Sequence, residues 1–428
     1  MSADAAWPSS APAAGALAEP SDGAGERRRL KRALRRAEMR KKASALALIA
    51  PLGLFLLVVF VIPIAALLQR AVANPEVVNA LPHTVAALSA WDRKALPPET
   101  AYAALAADLA ETHRNIAVGD LARRLNNEIS GFRSLIIKTA RAMPVDGASR
   151  QALLAIDARW GELRYWQAIA KNGSRITQSY LLASLDMKQD GMGRIRKAEP
   201  DAAIYLDIFG RTLWIGVLTT GIALLIAFPL AYWASTLPAR RANLVMICVL
   251  IPFWTSVLVR IAAWIVLLQQ SGLVNAALLG LGAVKTPPEL LFNRTGVIIS
   301  MVHILLPFMI LPLYSVMKGI APTYQRAAIS LGSHPFAAFW RVYLPQTYAG
   351  IAAGALLVFI TAIGYYITPA LLGGPGDQLV SYYIAYFTNQ IINWGMACAL
   401  GALLLTATLM LYAVYQRITR THPGTTVK

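Results

Sequence analysis

The sequence predicts an all-α, polytopic membrane protein: six transmembrane helices, with a helical domain inserted between the first and the second. Three observations carry this expectation. Of 428 residues, 57% are hydrophobic and 14% charged, against about 25% charged in soluble domains. Six apolar runs have membrane length, since about 20 residues at 1.5 Å each cross the hydrocarbon. The net charge of +18 is unevenly spread. Residues 71–207 are nearly neutral, whereas residues 208–428 hold 12 basic residues and two carboxylates, Glu289 and Asp377.

The elements follow in order. Residues 1–42 read as a basic, partly disordered tail: the first part is rich in Ala, Ser, Pro and Gly, and the Arg- and Lys-rich run 27–42 follows. Residues 43–68 form the first span. Its length exceeds a signal-peptide core, although Ala71-Val72-Ala73 resembles a cleavage site. Residues 69–207 form the inserted domain, expected to hold four to six helices, with breaks near Pro97-Pro98, 144–147 and 171–173. Residues 208–420 hold five further spans at 212–239, 242–268, 295–317, 347–372 and 394–416, and 421–428 form a short tail. The basic flanks place both termini in the cytoplasm and the insertion outside, because Arg240, Arg241, Lys318, Arg326, Arg341, Arg417 and Arg420 all fall on one side. The basic excess then has a topological meaning beside anionic lipid, and a nucleic-acid partner is unnecessary.

The loop at 321–345 carries the clearest local pattern. Pro322 suits a first helical turn, Gly332 a left-handed stop, Ser333 a cap and Pro335 the start of a second helix. Phe336, Phe339, Trp340 and Tyr343 then share one face, and Pro345 is expected to interrupt before the next span. The loop reads Arg326-Ala327-Ala328, three residues, Gly332, nine residues, Val342, one residue, Leu344-Pro345. This spacing resembles the Glu-Ala-Ala loop of the permease subunits of binding-protein-dependent ABC importers. The departure is Arg326, where that family has Glu. Ile251-Pro252-Phe253-Trp254-Thr255-Ser256, the run 303–315 around His303 and Pro307, and Ile367-Thr368-Pro369 are similar to the spermidine/putrescine-type permeases. The long insertion departs from that subgroup's shorter members.

The resemblance implies a MetI-like permease in the bacterial inner membrane. It would act with a second permease subunit, an ABC ATPase dimer and a periplasmic substrate-binding protein. Its cargo would be a small polar solute, a polyamine first; amino-acid-like compounds, phosphonates and chelated iron are the alternatives. Arg326, Ala327, Ala328, Gly332, Leu344 and Pro345 would form the ATPase-coupling loop. No Gly-x-x-x-x-Gly-Lys-Ser/Thr stretch exists in the chain, so ATP would be bound by a separate subunit and this chain would hold no cofactor, metal or catalytic residue. An ATP-independent carrier or channel with an external sensing domain is the rival class.

Candidate pathway residues are Trp254, Arg260, Tyr365, Tyr366 and Tyr382. Aromatic faces can hold an ammonium group, and interfacial belts use the same residues. Arg260 is the one charged side chain inside an apolar run. Helix geometry places it near the outer boundary, where it can snorkel. His303 reads as a helix–helix contact, Asp377 as a turn residue, and Cys248 and Cys398 as packed free thiols.

Overall fold

A computed structural model describes residues 23–112, 116–144 and 150–420. The terminal segments 1–22 and 421–428, both expected to be tails, lie outside the described residues. The chain divides into two units, residues 1–65 and 66–428. In the first, α1 (Gly23–Leu56) passes through a π-helical turn, Leu57–Val61, into α2 (Ile62–Arg70). A wider turn just before Pro63 fits a residue that lacks an N–H and displaces the carbonyl one turn back. Leu48, Leu52, Phe55 and Phe60 are exposed on this helix, as a lipid-facing span requires.

The inserted domain is richer than the sequence predicts. It contains α3 (Pro75–Ala80), α4 (Pro82–Leu88), α5 (Glu99–Thr112), α6 (Ile116–Asn126), α7 (Phe132–Arg141), α8 (Arg150–Ile156), α9 (Leu163–Lys171) and α10 (Ser179–Ser184). An antiparallel hairpin follows, β1 (Met187–Gln189) with β2 (Ile195–Lys197), Met187 opposite Lys197. Most of these helices are two turns long, too short for periodicity to separate them. Trp160, Trp166, Tyr102 and Phe132 fill the core, completely buried.

Asp186, at the end of α10, ties the insertion to the membrane bundle. Its carboxylate accepts from the backbone N–H groups of Tyr205 and Leu206 at 2.9 and 2.8 Å. These are the first turn of α11 (Tyr205–Thr236), the second span. A carboxylate at a helix N-terminus satisfies its free donors and its dipole. The span therefore begins seven residues before the expected 212 and includes Asp207, which is exposed and pairs with Arg211 at 3.1 Å.

The third span is discontinuous. α12 (Ala239–Trp254) and α13 (Val257–Leu268) are separated by extended backbone at Thr255 and Ser256, and α14 (Leu273–Gly280) follows α13. The membrane-length apolar stretch is Val257–Gly280 rather than 242–268. The fourth span, α15 (Arg294–Gly319), opens with Asn293 accepting from Gly296 N.

Beyond α16 (Pro322–Ser330), α17 (Pro335–Ala338) runs through a π turn, Phe339–Tyr343, into α18 (Leu344–Gly364). Pro345 thus does not interrupt the chain; the widened turn before it absorbs its missing donor, as in the first span. The expected span 347–372 ends at Gly364, and α19 (Ile367–Leu372) is separate. Then come α20 (Val380–Asn389) and α21 (Trp394–Arg420), the latter containing the sixth span.

Small residues let α11, α15 and α18 approach closely. Ala223, Ala227 and Ala231 recur every fourth residue on α11 and are completely buried. A Cβ on Gly354 of α18 would stand 2.8 Å from Met309 Sδ on α15, and one on Gly216 of α11 would stand 2.9 Å from Ile363. Lys318, at the end of α15, donates to Ser235 O and Leu237 O at 3.1 and 2.9 Å, covering the C-terminal carbonyls of α11.

Candidate functional site

Two places hold the sequence-predicted residues. The first is the loop end of the bundle. Pro322 starts α16, and Gly332 adopts φ +93° after it. Gly332 N donates to Ile329 O at 2.9 Å and Ser333 N to Ala328 O at 3.0 Å, the paired bonds of a Schellman stop. The second helix is capped by His334 rather than Ser333: its Nδ1 accepts from Phe336 N at 3.3 Å. Arg326, Ala327, Gly332 and Pro345 are exposed, and Ala328 and Leu344 are half-buried.

The four aromatic residues divide between two faces instead of sharing one. Phe339 and Tyr343 stack at 5.5 Å and pack edge-on against Tyr232 of α11. Phe336 and Trp340 remain exposed, with Tyr324, Ile329 and Leu331. The inner pair anchors the loop to the second span. The π turn Phe339–Tyr343 places these side chains on opposite sides.

The second place lies inside the spans, where two helices break. Arg260 sits one turn after the Thr255–Ser256 break, and Tyr365 and Tyr366 form the break between α18 and α19. α13 packs on α19. Arg260 is only 9% exposed, so it does not snorkel; its Nε is buried without a partner. Tyr365 Oη and Thr368 Oγ1 are buried and face each other, without a hydrogen bond of ordinary geometry to any other group. Trp264, one turn beyond Arg260, donates from Nε1 to His303 Nδ1 at 3.2 Å, their rings edge-to-face at 5.4 Å.

α13 and α19 thus place Arg260 and the Tyr365–Thr368 stretch on neighbouring elements, and Trp264 ties α13 to His303 of α15. Thr368 lies in the Ile367-Thr368-Pro369 stretch that carries the family resemblance, but its place beside Tyr365 at a helix break is visible only in three dimensions. Trp254 is 85% exposed. Tyr366 is also exposed. Tyr382 belongs to a separate aromatic row with Tyr383 and Tyr386. Asp377 forms the expected turn, accepting from Gly374 N, and also pairs with Arg294 at 3.0 Å. Cys398 is buried and free, whereas Cys248 is exposed. Among the described residues no cluster of His, Cys, Asp or Glu could hold a metal ion.

The fold is a bundle of membrane-length helices, two of them broken, and the chain belongs to the ABC importer permeases. The family of binding-protein-dependent transport system inner membrane components matches residues 223–421. The chain is similar to the spermidine/putrescine transport system permease protein PotB of Escherichia coli, 32% identical over 217 residues, 51% of this chain and 79% of that one. PotB of Haemophilus influenzae is 36% identical over 215 residues, 50% of this chain and 75% of that one. Among solved structures, a bacterial alginate ABC transporter in complex with an alginate pentasaccharide-bound periplasmic protein aligns with TM-score 0.41 and 20% identity, over 52% of this chain and 80% of that one. The chain is thus a multi-pass inner-membrane permease that resembles the spermidine/putrescine type.

Proposed function

We propose that this chain lines the translocation pathway of an ATP-driven importer and takes its drive from a separate ATPase through residues 321–345. The observation that carries the reading is the two-faced loop: Phe339 and Tyr343 fix it to the second span, while Phe336, Trp340 and Leu331 stay uncovered. Exposed aromatic residues on a rigid element are the anchors that protein interfaces use. The assembly would contain a second permease subunit, two ATPase subunits and an external binding protein, with the insertion and both outer loops on the outside. Arg326 replaces the family's Glu, so the ATPase would meet this loop through packing and with a carboxylate, not a cation, opposite residue 326.

The cargo in this reading is a polyamine. Support comes from the PotB relatives, which are spermidine/putrescine permeases at 32% and 36% identity. One observation favours a second reading: Arg260, whose Nε is buried without a partner, suits a carboxylate or phosphonate better than an ammonium. Proteoliposomes containing the complete transporter and its binding protein separate the two. ATP-dependent uptake of labelled spermidine or putrescine supports the polyamine. Uptake of an anionic solute in its place supports the second reading, and uptake by this chain alone, without ATPase, removes the importer assignment.

A further inference from the structure

A cavity of about 600 Å3 opens where the insertion meets the ends of the first and sixth spans. Arg70 closes the first span and Trp394 opens the sixth. Glu76 enters from α3, Asp120 and Arg123 from α6, and Tyr180 from α10. This is the size range of small-ligand pockets, and neither the loop nor the broken spans contribute to it.

The lining defines the ligand. Glu76 Oε2 is buried with no hydrogen-bond partner, so an acceptor waits for a donor. The Arg70 side chain is exposed, with no ion pair or hydrogen bond recorded to any described residue. Arg123 holds Asp120 only through a 3.3 Å, half-exposed contact, which is weak and easily exchanged. A third guanidinium, Arg124, is already engaged: it donates to Asn74 and Asn172, pairs with Glu128, and lies 4.9 Å over the Tyr180 ring. It builds the wall. The free groups are thus two cationic donors and one carboxylate acceptor. With three guanidiniums against two carboxylates, a polycation is disfavoured.

Position supplies the second argument. Two spans end at this cavity, so its mouth lies at the depth of lipid head groups. Trp394 is half exposed there, as interfacial tryptophans are. Leu68, two residues before Arg70, offers an exposed apolar surface to an acyl chain.

We propose that the cavity binds the head group of a phospholipid that carries a phosphate diester and a primary ammonium, the phosphoethanolamine class. The phosphate lies between Arg70 and Arg123, and the ammonium donates to Glu76 Oε2. A quaternary ammonium has no N–H for Glu76, and the hydroxyls of a glycerol head group are neutral donors that match a carboxylate less well than an ammonium does. The bound lipid fastens the insertion to the outer rim of the bundle, a role beyond the import reading.

The test uses the complete transporter in nanodiscs holding equal parts phosphatidylethanolamine, phosphatidylcholine and phosphatidylglycerol, with retained lipid counted by native mass spectrometry. Wild type should retain phosphatidylethanolamine preferentially. Arg70→Ala should lower retention about tenfold, the effect of one lost charge-assisted hydrogen bond. Glu76→Leu should keep lipid but lose the choice of ethanolamine over choline. If Arg70→Ala fails to assemble, Arg123→Gln on the rim gives the same readout. Equal retention of all three lipids by wild type, or retention unchanged in these variants, overturns the proposal. Displacement by soluble glycerophosphoethanolamine as readily as by lipid also overturns it, assigning the cavity to a free solute.

Discussion

The insertion and the membrane bundle treat their buried polar groups in opposite ways. In the insertion, Asp108 is fully buried, yet it accepts from Thr84 N at 2.7 Å, Thr84 Oγ1 at 2.6 Å and His83 N at 3.2 Å. Glu128 is held by Lys171 at 2.7 Å and Arg124 at 3.2 Å. In the bundle, Arg260 Nε, Thr219 Oγ1, Asn275 Oδ1 and Gln378 Oε1 are buried without hydrogen-bond partners. An unmatched buried donor or acceptor costs about 1–3 kcal/mol, and hydrocarbon offers no water to relieve it. Among the described residues the insertion leaves Glu76 Oε2 in this state, at its edge, whereas the bundle leaves several such atoms inside its spans. Arg260 Nε lies one turn after the Thr255–Ser256 break.

This contrast fails first if the insertion's network is ornamental. Arg124→Met leaves Glu128 with one partner and removes the donors that Asn74 and Asn172 accept from. Breaking one member of such a buried pair costs about 3–5 kcal/mol. Hydrogen exchange should accelerate across Ile116–Asn126 and Leu163–Lys171, with the spans unaffected. Unchanged exchange in those helices would show that the network adds nothing.

The converse holds for Arg260. Its guanidinium has an unused donor, so Arg260→Met should leave the melting of the isolated chain unchanged or raise it. Transport by the assembled complex should fall about tenfold to a hundredfold, the equivalent of about 1.5–3 kcal/mol for a hydrogen bond to a charged group. A variant that melts earlier but transports normally makes Arg260 a structural residue.

Acid sharpens the difference between the regions. Burial opposes the charge on Glu128, but Lys171 and Arg124 together hold its carboxyl below the ordinary range. Hydrogen bonds from Arg159 hold Asp157 well below it too. A carboxyl whose folded pKa is depressed stabilises fully above its unfolded value, about 4, and loses that contribution as pH falls through the folded value. The insertion should therefore loosen first on acidification below about pH 4. Glu128→Gln should flatten that limb of the stability–pH curve; an identical limb in the variant removes Glu128 as its source.

The same contrast explains what the sequence disclosed. Apolar runs and basic flanks announce the spans because hydrocarbon imposes length and composition on each helix separately. The Pro322 start and Gly332 stop of α16 were also local and legible. The break at Thr255–Ser256 was not, since no residue there forbids a helix. The break at Tyr365–Tyr366 had a signal in Pro369, whose ring opposes a helical carbonyl at Tyr365; Ser381 Oγ donates to that carbonyl instead. The π turns hid behind Pro63 and Pro345, which read equally well as helix ends. The β1–β2 hairpin had a signal in Asp190-Gly191 and Gly193, the last at φ +88°, which a helical reading of the insertion passed over. Arg70, Glu76, Arg123 and Trp394 are hundreds of residues apart at the extremes, so their cavity had no sequence signature.

The smallest expected effect tests the loop. Gly332 has φ +93°, and a Cβ placed there would meet nothing within 4 Å. Any substitution pays the left-handed backbone cost of about 1–2 kcal/mol, and in the isolated chain side-chain size adds no clash. Gly332→Ala and Gly332→Trp should therefore loosen the loop equally, as amide exchange at Leu331–Ser333 would register. In the assembled transporter the two should part. Alanine fits between α16 and a docked subunit, and transport falls only modestly; tryptophan fills the space an ATPase would occupy, and both docking and transport are lost. If both variants dock and transport alike, the open side of Gly332 faces solvent in the complex, and the coupling surface must be moved to Phe336 and Trp340.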